Sequence, residues 1–589
     1  MTRRYSEPAP STQEFFSEVA TIPDLLKRRS RLTPSAAAYM HERSSAWTPV
    51  PWEVLDRRSD ALAAVLQQRG LRPGERIGIL AHTSVSWELA QMAALRCGAV
   101  VVGLDPYYPD ELLNQLIQGL ALEALVVQDA PTRERVAEAS QAQLRMIVDL
   151  EWIDRMSNPA TEPASACESR ARPDAPAVIT FTSGSTGRPQ PIVYSHAQVV
   201  HAVRCIVDAY PVIGSDARLV AWLPLANLFQ RMINLCAIAK GATSYVVSDP
   251  RQVMQVLPFA RPHVFIAVPL FCERVRAGIE ARLGKRPALA RLMRGALGLA
   301  GEVREAAAAR TPVPIVRKLA FHVVDRVLLV RLRTLFGGNL RFIVTGSAPM
   351  PRELLDWFFA LGIPVLEAYG ASENLVPIAA NRPEATRRGT VGKPIGDNQL
   401  RIGADGDVQV RGFGVFDPAL GENAARRDAI TADGFLVTGD LGSLDDDGFL
   451  TLRGRASEIF KNAQGRWVSL PLVEATLRQI PQVEHAAAIR LPDDRLGGVL
   501  ALRQPIELGG DALERSLRGR IGEALSQLPA ASRPIGILVV KRAFAPASGE
   551  LTTNLKLRRH AVAMHYEGRL RHVVSRRSTA SPDVPIEFE

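Results

Sequence analysis

Residues Ala177 to Gly187 read AVITFTSGSTG, an apolar run that ends directly in hydroxyls and glycines. Glycines let backbone N–H groups approach a phosphate with no Cβ in the way, and hydroxyls add neutral donors. The string Thr182, Ser183, Gly184, Ser185, Thr186, Gly187 therefore suits a polyphosphate. It is not a Walker A loop, because no Gly-Lys-Ser/Thr closes it. On composition alone, Ser and Gly of this kind also make ordinary turns, and both readings stay open at this point.

A loop with that task needs a strand to aim it. From 76 to 370, short β-branched runs alternate with helical stretches: ERIGIL, AVVVGL, ALVVQD, MIVDL, AVITFTSG, HVFIAV, LRFIVTG and PVLEAYG. The alternation predicts an α/β fold with largely parallel strands. After about residue 400 the style changes to short strands with Gly and Asp turns (RIGADGDVQVRG, GFLVTGD, DDDGFLTLRGR), which predicts a β-rich subdomain. Beyond 457 a compact α+β unit is predicted, with strands at VEHAAAIR, VLALRQ and IGILVVKR and a helix over 511–528. The closing RRSTASPDVPIEFE reads as a frayed tail. No internal repeat is evident.

With 47% hydrophobic and 22% charged residues in 589, the chain has the profile of a soluble globular protein and excludes a disordered or collagen-like one. At about 150 residues per domain its length allows roughly four units. No stretch of about 18 residues is apolar and uncharged, and the opening MTRRYSEPAPSTQ lacks the apolar core of a secretory leader, so a cytoplasmic location is expected. The cysteines at 97, 167, 205, 236 and 272 are odd in number and never form a CxxC pair, which favours buried small hydrophobes over disulfides or zinc. Residues 273–341 hold 15 Lys/Arg against 5 Asp/Glu and so account for the whole net charge of +10. Within them Ile315-Val316, Leu319-Ala320, Val323-Val324 and Val327-Leu328 recur every four residues, predicting a cationic amphipathic helix. A solvated face of a helical insertion and peripheral contact with anionic lipid, on the inner face of the membrane, are the two main readings. Nucleic acid ranks last, since no basic module interleaved with aromatics is present.

The full string FTSGSTGRPQPIVYSH resembles the phosphate loop YTSGTTGxPKGVxxTH of the adenylate-forming superfamily of acyl-CoA synthetases, luciferases and peptide-synthetase adenylation domains. Further matches follow in the family's order. Tyr369-Gly370-Ala371-Ser372-Glu373 resembles YGxTE, Thr438-Gly439-Asp440 resembles TGD, Gly454-Arg455 resembles the hinge-side GR, and Gly549-Glu550-Leu551-Thr552 with Lys556 resembles the C-terminal lysine motif. RPGERIGIL and GAVVVGLDPYYP extend the likeness toward the N-terminus.

The resemblance implies ATP-dependent conversion of a carboxylate to an acyl-AMP, with release of pyrophosphate and then transfer to coenzyme A. It implies that Glu373 holds Mg²⁺, that Ser372 offers its hydroxyl to the α-phosphate, and that Tyr369 and Gly370 lie near adenine. Gly346, Ser347 and Ala348 would form the adenine and acyl-carbonyl turn, Asp440 and Arg455 would take the ribose, and Arg466 would meet a phosphate. Lys556 would neutralise charge during adenylation and then swing away with a mobile small domain. The implied domains are a large one over 1–454 carrying the basic insertion at about 273–341, a small lid over 455–565, and a tail over 566–589.

LPLANLFQR, RPHVFIAVPLFCERV, the insertion and LRTLFGGNLRFIVTGSAPMP look like bacterial long-chain fatty acyl-CoA synthetases. A fatty acid is therefore the expected substrate. Three places in the chain, four residues in all, depart from the family pattern. Gln190-Pro191 stand for Lys-Gly in the phosphate loop, Asn227 for a His at the mouth of the acyl pocket, and Ser457 for Asp or Lys at the hinge. Gln brings no charge and Pro removes an N–H, for which Arg188 is the expected compensation. An enzyme that passes its acyl group to a separate carrier protein or another nucleophile, and a non-catalytic nucleotide-binding relative, remain as alternatives. No carrier is fused, since Ala512 stands where LGGDALERS would need the pantetheine serine.

Overall fold

All eight apolar runs between 76 and 370 form strands, and they sort into two sheets. The computed structural model describes residues 11–43, 46–157, 168–182, 189–346, 348–461, 466–491, 495–503, 511–545, 548–551, 557–576 and 584–588. One sheet orders Met146–Asp149, Ala124–Val127, Arg76–Leu80, Val100–Leu104, Pro176–Thr182 and Gln190–Ser195. Every neighbouring pair is parallel except the last, an antiparallel hairpin that registers Thr182 against Gln190. Its central strand Val100–Leu104 is buried along its whole length, as expected where helices cover both faces.

The second sheet sets Val264–Ala267, Phe342–Thr345 and Val365–Tyr369 in parallel and adds two short antiparallel strands, Ala379–Ala380 and Lys393–Pro394. The carboxyl ends of Pro176–Thr182, Phe342–Thr345 and Val365–Tyr369 open onto one cleft. Ligands of open α/β sheets bind at that edge. The predicted β-rich part is a four-stranded antiparallel sheet, Gln399–Ile402, Asp407–Arg411, Leu436–Leu444 and Leu450–Arg455. A smaller C-terminal domain has its own apolar clusters around Val483–Arg490, Leu496–Leu502 and Ile537–Val540.

Two expectations change. The end of the chain does not simply fray: Arg559–Ser575 is a helix, and Ile586–Phe588 pairs in parallel with Ile537–Val540 as a fourth strand of the small sheet. The amphipathic helix is α-helical only over Ile315–Val324, and Asp325–Leu329 widens into a π-turn. There the Asp325 carboxylate takes Arg304 at 2.8 Å and Arg333 at 2.7 Å, and Leu329 reaches the core. The apolar residues of this helix also divide between two faces. Phe321, Val324 and Leu328 pack inward, while Ile315, Val316, Leu319, Val323 and Val327 remain 51–74% exposed.

Cys97, Cys205 and Cys272 are buried, Cys236 is half-buried, and none of these four is in a disulfide; Cys167 lies outside the described residues. Among the described residues no helix is long and apolar enough to cross a membrane.

Candidate active site

Asp440 and Arg455 are direct partners in the antiparallel pair Leu436–Leu444 and Leu450–Arg455, with Arg455 Nε 3.4 Å from Asp440 Oδ1. Each follows a glycine at positive φ, Gly439 at +74° and Gly454 at +126°, and a register shift falls just after Leu441. Such irregularities turn a side chain away from the regular pleat, and here both face the cleft. Tyr369, at the end of its parallel strand, donates its hydroxyl to Asp440 Oδ2 at 2.6 Å. Burial and the adjacent carboxylate push the phenol well above its ordinary range, so it stays protonated as a donor. The expected ribose pair and the expected adenine neighbour are therefore one hydrogen-bonded group. A carboxylate has about four lone-pair sites, so Asp440 can accept from more than one donor at once.

The side expected to take phosphate is built on the hairpin. Thr182 is buried at the strand end and Gln190 faces it across the register; both line the cleft. Ser183, Gly184, Ser185, Thr186, Gly187 and Arg188 lie outside the described residues. Ser372 donates its hydroxyl to the Phe181 carbonyl at 3.1 Å, while its own carbonyl accepts from Tyr194 at 2.6 Å. Its proton thus ties the 369–373 turn to the phosphate-loop strand, where a donor to the α-phosphate was expected. Gly346 has a steric reason: a Cβ there would stand 2.9 Å from the Ala368 carbonyl. Ala348 lines the same cleft, and Ser347 lies outside the described residues.

Glu373 is part-buried and its Oε1 accepts from Arg426 Nη2 at 2.5 Å. Mg²⁺ is usually held by one or two carboxylates plus substrate phosphates, and a lone carboxylate beside a phosphate loop fits that donor set.

Thr182, Gly346, Ala348, Tyr369, Gly370, Ser372, Glu373, Asp440 and Arg455 all line this cleft of about 2470 Å³. Arg466 is exposed ahead of the strand Trp467–Ser469 and does not line it. Leu551 and Leu557 pair with each other and do line it, which brings both ends of the segment carrying Lys556 to the cleft; Lys556 itself lies outside the described residues. The buried Glu550 carboxylate anchors this turn through Arg542 at 2.5 Å, Ser548 at 2.7 Å and the Tyr566 hydroxyl at 3.1 Å. Across the domain boundary Arg274 meets Glu484 at 2.5 Å and Arg478 meets Glu273 at 3.6 Å. Ser457 lies in the 3₁₀ turn Ala456–Glu458, at the cleft edge between the domains.

Away from the nucleotide end the lining turns apolar. The helix Leu228–Lys240 presents Phe229, Met232, Ile233 and Cys236 on one face, opposite Ile206 and Val207 of the helix His196–Ala209. Asn227 precedes the first of these helices, makes no side-chain cap bond and lines the cleft mouth. Two lining residues were missed in the sequence. Arg426 belongs to no motif. Glu367 lies inside PVLEAYG, where alternation marks it only as a strand residue. Its carboxyl is buried with Oε2 unpartnered among the described residues, and burial raises it to about 7 against the Met350 and Gly389 N–H groups.

Comparison with known proteins agrees with this geometry. Residues 26–415 match the AMP-binding enzyme family. The chain is 29% identical over 597 aligned residues to the long-chain-fatty-acid-CoA ligase FadD15 of Mycobacterium bovis, covering 95% of this chain and 98% of that one. In fold it is similar to the A domain of carboxylic acid reductase from Segniliparus rugosus, solved with AMP and a co-purified carboxylic acid. The TM-score is 0.76 at 17% identity, over 96% of this chain and 95% of that one. It is also similar to ATP-bound MatB from Rhodopseudomonas palustris, with a TM-score of 0.71 at 20% identity, over 94% and 99% of the two chains. At those identities the two structures speak for the fold.

Proposed function

The chain belongs to the AMP-binding enzyme family, and from that premise we propose that it activates a fatty acid with ATP and transfers the acyl group to coenzyme A. The observation that carries the reading is the continuity of the cleft, which has a carboxylate-and-hydroxyl end at Asp440, Tyr369 and Glu373 and an apolar end along Leu228–Lys240. A carboxylic acid with a long alkyl chain needs both. The FadD15 relative, aligned along nearly its whole length, supports the same substrate class.

In the proposed reaction a carboxylate oxygen attacks the α-phosphorus, the bond to pyrophosphate breaks, and acyl-AMP forms. The thiol of coenzyme A then attacks the acyl carbonyl, loses its proton, and AMP departs. Asp440 and Arg455 hold the ribose with Tyr369 fixing the carboxylate, the Thr182–Gly187 loop takes the phosphates, and Lys556 stabilises the charge that develops at the α-phosphate. Glu373 would hold Mg²⁺, which offsets the charge of the polyphosphate. The small domain turns about a hinge within GRASEIFKNAQGR, residues 454–466, between the two half-reactions. Arg466, exposed on that domain, meets a phosphate in one of the two.

Peripheral contact with an anionic membrane belongs to the same reading. Five apolar side chains of Ile315–Val327 stand exposed within the segment that carries the net positive charge. An apolar face rimmed by Lys and Arg matches an anionic lipid surface, and such a surface holds the proposed substrate.

The test is ATP-dependent thioester formation across acids from acetate to stearate, following AMP and pyrophosphate with and without coenzyme A. Thioester formation that peaks at long chains supports the proposal. Pyrophosphate release that ignores coenzyme A points instead to a carrier protein or another nucleophile as acceptor. Nucleotide binding with no turnover of any acid favours a non-catalytic relative.

A further inference from the structure

The structure assigns to Arg426 the role of polyphosphate-binding cation for the loop that has Gln at position 190; this rests on the ATP reading of the cleft. The assignment starts from a charge deficit. Gln190 stands opposite Thr182 in the hairpin, and it offers a neutral amide where a polyanionic triphosphate has to be neutralised.

A guanidinium from a distant part of the chain fills the gap. Arg426 Nη1 lies 3.3 Å from Gln190 Oε1 and 3.4 Å from Thr182 Oγ1, and Nη2 is 2.5 Å from Glu373 Oε1. One planar cation therefore bridges both strands of the hairpin and the carboxylate proposed for Mg²⁺. Its contacts to the hairpin are long ones to neutral oxygens, and Nε is buried with no partner among the described residues. Anionic phosphate oxygens make shorter, charge-assisted bonds to a guanidinium than neutral oxygens do, so these donors are better matched to phosphate than to their present neighbours.

The placement is built into the fold. Arg426 lies in the 3₁₀ stretch Gly421–Ala429, three residues after Asn423. Side chains at i and i+3 of a 3₁₀ turn eclipse one another. Asn423 is fully buried. Its amide donates to the Val193 carbonyl at 2.8 Å and to the Asp417 carbonyl at 2.9 Å, and its oxygen accepts from the Val193 N–H at 2.9 Å. That clamp fixes the stretch to the strand Gln190–Ser195 and sets Arg426 over its first residue, Gln190.

The experiment uses the full chain and nucleotide binding as well as turnover. Binding of ATP with Mg²⁺, and of AMP, is measured by calorimetry without any acid for wild type, Arg426→Ala, Arg426→Lys, Gln190→Lys and the double variant Arg426→Ala/Gln190→Lys. The KM for ATP and kcat are then compared with a saturating fatty acid. Arg426→Ala is expected to weaken ATP binding and raise its KM by about ten- to a hundredfold, the range for losing a hydrogen bond to a charged group. AMP affinity stays within about twofold, because AMP lacks the phosphates in question. Gln190→Lys in the Arg426→Ala background restores most of the ATP affinity.

Unchanged ATP affinity in Arg426→Ala overturns the assignment. So does a parallel loss of ATP and AMP binding that Gln190→Lys does not recover. A wild-type protein that binds ATP but turns over no acid defeats the fatty-acid proposal and leaves this one standing on the binding data. A wild type that binds no ATP overturns both.

Discussion

The Tyr369 hydroxyl donates a 2.6 Å hydrogen bond to Asp440, joining the end of a parallel strand in the second sheet to a bulged antiparallel strand of the β-rich subdomain. The bond holds one carboxylate oxygen while Arg455 stands 3.4 Å from the other, and together they fix the carboxylate at the cleft. Asp440→Ala is expected to remove both the anchor and the ribose acceptors and to raise Kd for AMP by about a hundredfold. Tyr369→Phe should raise it by about tenfold, since it removes one bond to a charged group. Calorimetry with AMP checks both, and equal effects would show that the phenol has no orienting role.

The proposed mechanism uses Lys556 in the first half-reaction only. Lys556→Ala is expected to slow acyl-AMP formation by roughly a hundred- to a thousandfold, as loss of one stabilising donor does. Conversion of chemically prepared acyl-AMP to the CoA thioester should change by less than about threefold, because the small domain has then carried the lysine away. Single-turnover assays of the two steps separate these outcomes, and equal loss in both would contradict a lysine confined to adenylation.

Glu367 makes stability depend on pH. Its folded pKa of about 7 lies above the ordinary 4.5, so the folded chain binds this proton more tightly than the unfolded chain does. The contribution is complete below the unfolded value and is lost as pH rises from about 4.5 to about 7. The loss is on the order of 3 kcal/mol. Urea unfolding of wild type and Glu367→Gln at about pH 5 and pH 8 should show wild type losing more stability over that interval than the variant. Identical pH dependence would mean that the carboxyl titrates normally.

The exposed face of Ile315–Val327 gives a prediction with little cost to folding. Leu319 is 64% exposed and Val323 is 63% exposed. Leu319→Glu/Val323→Glu should therefore leave the unfolding midpoint nearly unchanged while abolishing flotation with anionic vesicles. Wild-type flotation should fall as salt screens the cationic rim. A wild type that fails to float at low salt would contradict membrane contact.

Local patterning made the strands legible in the sequence, because buried parallel strands leave short β-branched runs with punctuation on either side. The carboxylates Glu373 and Asp440 were legible through the resemblance of YGASE and TGD to the family's motifs. Arg426 was not, since its position depends on the Asn423 clamp to a strand about 230 residues earlier, and no local spacing encodes that pairing. The two faces of Ile315–Val327 were also hidden. Periodicity marks apolar residues as belonging to a helix, but it does not say whether protein or something else covers each face, and the Asp325 π-turn shifts the phase after Val324.

The central claim is that one cleft joins a nucleotide site to an apolar acyl site, and acid-dependent exchange of labelled pyrophosphate into ATP tests it most directly. Exchange reports formation of acyl-AMP and needs no acceptor. The account predicts exchange that is absent without acid and strongest with long-chain fatty acids, and that is lost in Asp440→Ala. Exchange with short or aromatic acids only, or none with any acid in protein that binds ATP, would contradict it.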